Sequence, residues 1–182
     1  MKKSPIILRK TTVKDTPFLM KWFNDRENIR FMSPLIRARR HTLRSIKKEI
    51  RSIDPEYERL FTIYQRGEKT PIGHAGIDDL SLIDRRGEIY YLIGDKDQQG
   101  KGYGKIIVAE LLNYAFNRLH LNSIAATTVI KNKASMHILK KAGFQKVGVY
   151  RMYNCINGKF VDEVIYDLIA SDYRRKVNGR PR

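Results

Sequence analysis

Cysteine is almost missing from this chain: 182 residues hold one, Cys155, so no internal disulfide can form. No Cys/His cluster has zinc-site spacing, and no metal is expected. Long hydrophobic runs are missing too; no stretch approaches the roughly 20 apolar residues that a membrane span needs. The opening MKKSPIILRKTT offers only three consecutive apolar residues, too few for the core of a signal peptide. These absences imply a cytoplasmic protein with no membrane partner. There is no internal repeat, Ser/Gly linker or low-complexity tract.

Acid is scarce. Nineteen Asp and Glu face 36 Lys and Arg, a net charge of +17. A field of that sign attracts nucleic acid, acidic surfaces or phosphorylated ligands. The basic residues are not interleaved with the aromatics of a single-strand-binding motif, so nucleic acid ranks below a phosphorylated ligand. The densest run, Arg37 to Arg51, has seven basic residues and one acid. Most such runs are solvated helix faces; a docking surface is the sharper reading.

What is present is enough for one core. The chain is 42 % apolar and 10 % aromatic, and at this size a single domain can bury roughly 70 % of its unfolded surface. Strands are expected at Ile6–Thr12, Leu60–Gln65, Ile72–Leu82, Glu88–Ile93 and Ser123–Ile130. Gln145–Asn154 and Lys159–Ile169 read as a hairpin closed near Asn157-Gly158. Helices are expected from Pro17, through Leu43, Ile46, Ile50 and Ile53, from Ile106 to Leu119, and over Ala134–Ala142. The order β-α-α-β-β-β-α-β-α-β-β gives one α/β sheet with a crossover helix in the middle. Residues 1–173 form the domain, and residues 174–182 a basic, frayed tail.

The most informative stretch leaves an apolar strand at Ile93 and enters the long helix. Gly100, Gly102 and Gly104 alternate there, flanked by Lys101 and Lys105. Glycines free the backbone to take positive φ, and its N–H groups at a helix N-terminus suit a phosphate. A nucleotide-binding P-loop fails, since five residues separate Gly94 from Gly100 and Gly102 follows the lysine. The dinucleotide fingerprint fails because its third glycine comes one residue early.

Gln99-Gly100-Lys101-Gly102-Tyr103-Gly104 resembles the Q-x-x-G-x-G acetyl-CoA loop of the GNAT N-acetyltransferase superfamily. Asn132 to Phe144 resembles that superfamily's N-x-x-[AS]-x-x-x-[YL]-x-K-x-G-F helix. Leu19–Asp25, Gly87-Glu88-Ile89 and Asn157–Phe160 are similar to the ribosomal-protein-alanine (RimJ/RimL-like) branch. The resemblance runs from about residue 6 to residue 173.

It implies a single-domain GNAT fold: a mixed sheet of about seven strands, a splayed parallel pair, and about four helices. It implies acetyl-CoA as co-substrate, held by Leu92, Ile93, Gln99 to Lys105 and Asn132. In that fold the pantetheine arm lies between the splayed strands Glu88–Ile93 and Ser123–Ile130. A backbone N–H near Leu92 or Ile93 would polarise the thioester carbonyl. The family's tyrosine acid falls on Leu139, so Ser135 becomes the donor to the thiolate, with water, Tyr90, Tyr91 and Tyr150 as other sources. Glu88 matches the family's Glu and would take the amine proton. Cys155 matches no family position; His137 is expected to face outward, and His74 is left open.

The resemblance also implies an amine acceptor, and a primary amine is expected. The charge favours a protein N-terminal amine on a particle rich in RNA, or a nucleotide-linked aminosugar. A polyamine would be repelled at long range unless a local acidic pocket overrode the field; polyamine and aminoglycoside are the alternative substrates. A catalytically silent module that binds a partner or RNA is the other reading, and a homodimer is left open.

Overall fold

The computed structural model describes residues 3–179. Its seven strands are β1 (Ile6–Lys10), β2 (Arg59–Gln65), β3 (Pro71–Ser81), β4 (Arg86–Ile93), β5 (Ser123–Val129), β6 (Gln145–Ile156) and β7 (Lys159–Ile169). They form one sheet in the order β1-β2-β3-β4-β5-β7-β6. Every neighbouring pair is antiparallel except β4 and β5, which are parallel. A parallel pair needs a crossover. Here it is α5 (Tyr103–Asn113), which widens into a π turn at Tyr114–Arg118.

Seven α-helices are present among the described residues, against the expected four or so. Three expected helices correspond to α1 (Thr16–Phe23), α4 (Leu43–Ser52) and α6 (Lys133–Ala142). The additions are α2 (Arg26–Ile29), α3 (Pro34–Arg37) and α7 (Ala170–Val177). The first two are single turns too short to carry an apolar period, and each starts from a local signal. Asp25 accepts from the Glu27 and Asn28 N–H groups, and Ser33-Pro34 begins α3 with proline at the first helical position. The third corrects the expected tail: residues 174–177 continue α7, anchored by buried Ala170. Residues 180–182 of that tail, and residues 1–2 of the domain, lie outside the described residues.

Two apolar layers sandwich the sheet. On one face Ile63, Ala75, Ile77 and Ile89 pack with Ile107, Val108 and Leu111 of α5. On the other Leu92 packs with Leu19, Trp22 and Phe23 of α1 and Ile46 of α4. A corner pin fixes α1 to the first strands. Buried Asp15 accepts from Arg9 at 2.9 Å, Tyr64 at 2.8 Å and the Thr12 N–H at 2.8 Å. Burial opposes its charge, but those donors outweigh it and hold the carboxyl below its usual range.

Candidate active site

The parallel pair does not stay paired. β4 and β5 are in register only at Arg86↔Ser123, Gly87↔Ile124 and Glu88↔Ala125, so Ile89 to Ile93 have no partner on β5. The strands part at Glu88, whose carboxylate sits across the fork. Its Oε1 accepts from the Thr127 N–H at 3.0 Å and the Thr127 hydroxyl at 2.8 Å. The fork opens into a continuous cleft of about 940 Å³ that runs from the glycine loop to the inner faces of α3 and α4.

At one end the wall is backbone. Gly100 and Gly102 take φ of 75° and 85°, and Gly102 is the N-cap of α5 with no side chain capping its first turn. Both glycines line the cleft, and the free N–H groups of a helix start there suit a phosphate. Gly104 lies against Tyr91 and Ile138, where a Cβ would come within 2.8 Å of the isoleucine. Lys101 and Lys105 are exposed beside the loop.

Two expected ligands have other work. Gln99, at the surface, donates to Ile93 O at 2.8 Å and Asn28 Oδ1 at 3.0 Å, while Asn28 donates to Gly94 O at 2.9 Å. It therefore ties the glycine loop to α2. The Tyr103 hydroxyl bonds Gln65 of β2, leaving its backbone to the loop. Asn132 caps α6 by accepting from the Ser135 N–H at 3.2 Å, with its amide on the cleft. Leu92 and Ile93 line the same wall.

In the middle stand Ser135 and Tyr91. Burial raises the Tyr91 pKa, and the hydrogen bond from Ser135 offsets part of that rise. Leu139 is buried beside them. His137 lines the cleft instead of facing away from it, whereas Cys155 and Tyr150 are exposed on β6, outside its walls.

At the far end the wall is side chain, and acidic. Asp78 of β3 is the cross-strand partner of Glu88 of β4, and Glu58 precedes β2 on the same side. Burial, then the Glu88 charge, pushes Asp78 up to about 7. Burial also raises Glu58, and it raises Glu163 of β7 with help from Glu88. One row further in, the Tyr90 hydroxyl lies 3.4 Å from His74 Nε2. His74 is 4 % exposed and burial lowers its pKa to about 4, so the ring is neutral at ordinary pH. Of the cations near this end, Arg39 pairs with Glu49 at 2.7 Å, Arg86 pairs with Asp79 and Asp84, and Arg59 donates to the Glu58 backbone carbonyl at 3.0 Å. Sequence reasoning found Glu88 alone of this row. The signal was the alternation Asp78, Gly76, His74 along β3, legible only once the register with β4 is known.

The acetyltransferase (GNAT) domain family matches residues 6–145. The chain belongs to that family. Its full-length relatives include an uncharacterised N-acetyltransferase, p20, of Bacillus licheniformis, 27 % identical over 92 % of this chain and 94 % of that one. The [ribosomal protein uS5]-alanine N-acetyltransferase of Escherichia coli is 30 % identical over 62 % of this chain and 58 % of its own. Among solved structures, the spermidine N-acetyltransferase of Vibrio cholerae in complex with CoA and spermine superposes with a TM-score of 0.85. It is 22 % identical and covers 94 % of this chain and 99 % of that one.

This GNAT protein is an enzyme: an N-acetyltransferase that takes acetyl from acetyl-CoA and gives it to an amine. Its fold is the single-domain α/β GNAT fold with a seven-stranded mixed sheet.

Proposed function

We propose that this N-acetyltransferase acts on a primary amine that arrives as a cation on an aliphatic chain, a polyamine being the simplest case. The observation that carries the reading is the row Glu58, Asp78 and Glu88 gathered on one wall of the cleft in a protein of net charge +17. Carboxylates crowded together raise one another's pKa unless a cation joins them. An ammonium group relieves that repulsion, and Phe23, Ile46 and Ile50 offer an apolar wall for its methylenes. The Vibrio cholerae fold relative is described with spermine, which agrees with this choice. The ribosomal-alanine reading keeps one supporting feature, the basic face of α4, which suits a substrate held on RNA.

The donor lies along the fork, its pyrophosphate on the N–H groups of Gly100 to Lys105 and its arm against Leu92, Ile93 and Asn132. A β4 backbone N–H would polarise the thioester carbonyl, and Ser135, next to Tyr91, would protonate the departing thiolate. Self-association is supported by the apolar side chains that edge strand β6 leaves exposed, Val147, Met152 and Tyr153 among them. The test of the acceptor is a turnover panel of spermidine, spermine, N-terminal peptides, an aminosugar nucleotide and an aminoglycoside. Highest kcat/KM for a polyamine is the expected result; highest kcat/KM for the peptide or the sugar nucleotide would overturn it.

A further inference from the structure

The family resemblance gives the amine's proton to Glu88. The geometry gives Glu88 a different task. Both strands of the fork depend on it: one oxygen accepts from the backbone N–H and the hydroxyl of Thr127 where the parallel pairing ends. Turning that carboxylate toward an acceptor would strand the Thr127 N–H at the fork.

Its cross-strand neighbour is differently placed. Asp78 shares the cleft face with Glu88, is exposed to the cleft, and makes no hydrogen bond to another side chain among the described residues. The groups that face it are Glu58 ahead of β2, Asp79 on its own strand, and Glu88 and Tyr90 on β4. Arg39, Glu49 and Arg86 lie nearby, paired as described. A second polar group stands on the same wall: the His74 ring is buried, with the Tyr90 hydroxyl on one side and the Phe61 backbone on the other. A neutral imidazole beside Tyr90 adds polar capacity at the acceptor end without adding positive charge.

We propose that Asp78 is the base that takes the proton from the incoming ammonium, and that Glu88 is a positioning residue that holds the fork. The inference rests on the reading above that the acceptor enters as a cation. The ammonium gives one proton to the Asp78 carboxylate, leaving a neutral amine and a carboxylic acid. The nitrogen lone pair then forms a C–N bond with the thioester carbonyl carbon, and the C–S bond breaks with its electron pair on sulfur. The nitrogen's second proton ends on that sulfur, giving the CoA thiol. Asp78 returns its proton to solvent, so one turnover releases one proton. A carboxyl raised to about 7 is far better matched to this transfer than an ordinary aspartate.

The experiment compares pH–rate profiles of the parent, Asp78→Asn, Asp78→Glu and Glu88→Gln on the best amine of the panel. Acetyl-CoA affinity is measured by calorimetry as a check on folding. Asp78→Asn should lower kcat by about 10²-fold, typical for loss of a general base, and flatten the acidic limb. Asp78→Glu should recover part of both. Glu88→Gln should keep an acidic limb but move it to lower pH, because removing the neighbouring charge lowers the Asp78 pKa. If Asp78→Asn keeps the parent's height and limb, or Glu88→Gln abolishes the limb, the assignment is overturned. Absence of polyamine turnover counts against the acceptor class alone, since the limb is read on whichever amine reacts best.

Discussion

The two ends of the cleft are built from different parts of the chain. The donor end is backbone: positive-φ glycines, an uncapped helix start and an unpaired strand edge, all within residues 89–104. The acceptor end is side chain, drawn from residues as distant as Phe23, Glu58, Asp78 and Glu88 and brought together by strand register. In the proposed assignment the backbone end takes the phosphate and amide groups of the donor. A side-chain site can change one carboxylate at a time while the fold stays the same. Charge divides the same way, with lysines beside the glycine loop and carboxylates at the far end.

The largest effect that can break this comparison belongs to the donor end. Gly102→Val puts a β-branched residue at a φ of 85°, and acetyl-CoA binding should be lost in calorimetry. Built Cβ atoms at Gly100 and Gly102 meet nothing within 4 Å, so the loss would report backbone conformation and donor contact, with no clash against the protein. Retained binding would remove the loop from the donor site.

A second test uses salt. The protein's +17 field repels a cationic acceptor at long range, and added salt screens it within a Debye length of about 8 Å at physiological strength. The close contact with the carboxylate row is screened much less. For a polyamine, kcat/KM should rise from low to moderate ionic strength; for an anionic acceptor steered by α4 it should fall. Neutralising Arg40, Arg44 and Lys47 should flatten either slope.

The smallest effect concerns stability. Asp78 has a folded pKa raised to about 7 above an ordinary value of 3.8, so its contribution is intact in acid and is lost as pH rises through 7. Asp78→Asn should therefore gain in Tm relative to the parent between pH 5 and pH 8, while losing activity. A Tm difference that does not change with pH would mean that the row carries no strain.

Much of the fold was legible because it rests on periodicity. The apolar strands, the long α5 and the hairpin at Asn157-Gly158, both at positive φ, follow from residue type and spacing. The single-turn helices α2 and α3 were not, since four residues are too few for a period and proline reads as a break. Within the site, Gly100, Gly102 and Gly104 announce themselves by spacing. Gln99 was recognised by its motif, but its bond to Asn28 joins segments far apart in sequence. Asp78 was silent for the same reason: its meaning depends on which residue of β4 lies opposite, and register is a property of the folded sheet.

The central claim is that donor and acceptor ends are separable, and titration calorimetry of Asp78→Asn addresses it directly. Spermidine and CoA would each be titrated into the parent and the variant at pH 7.5. Loss of one charged hydrogen-bond partner, about 1.5–3 kcal/mol, corresponds to roughly tenfold or more in affinity. The account predicts spermidine weakened by about that factor with CoA unchanged; equal weakening of both, or unaltered spermidine binding, would contradict it.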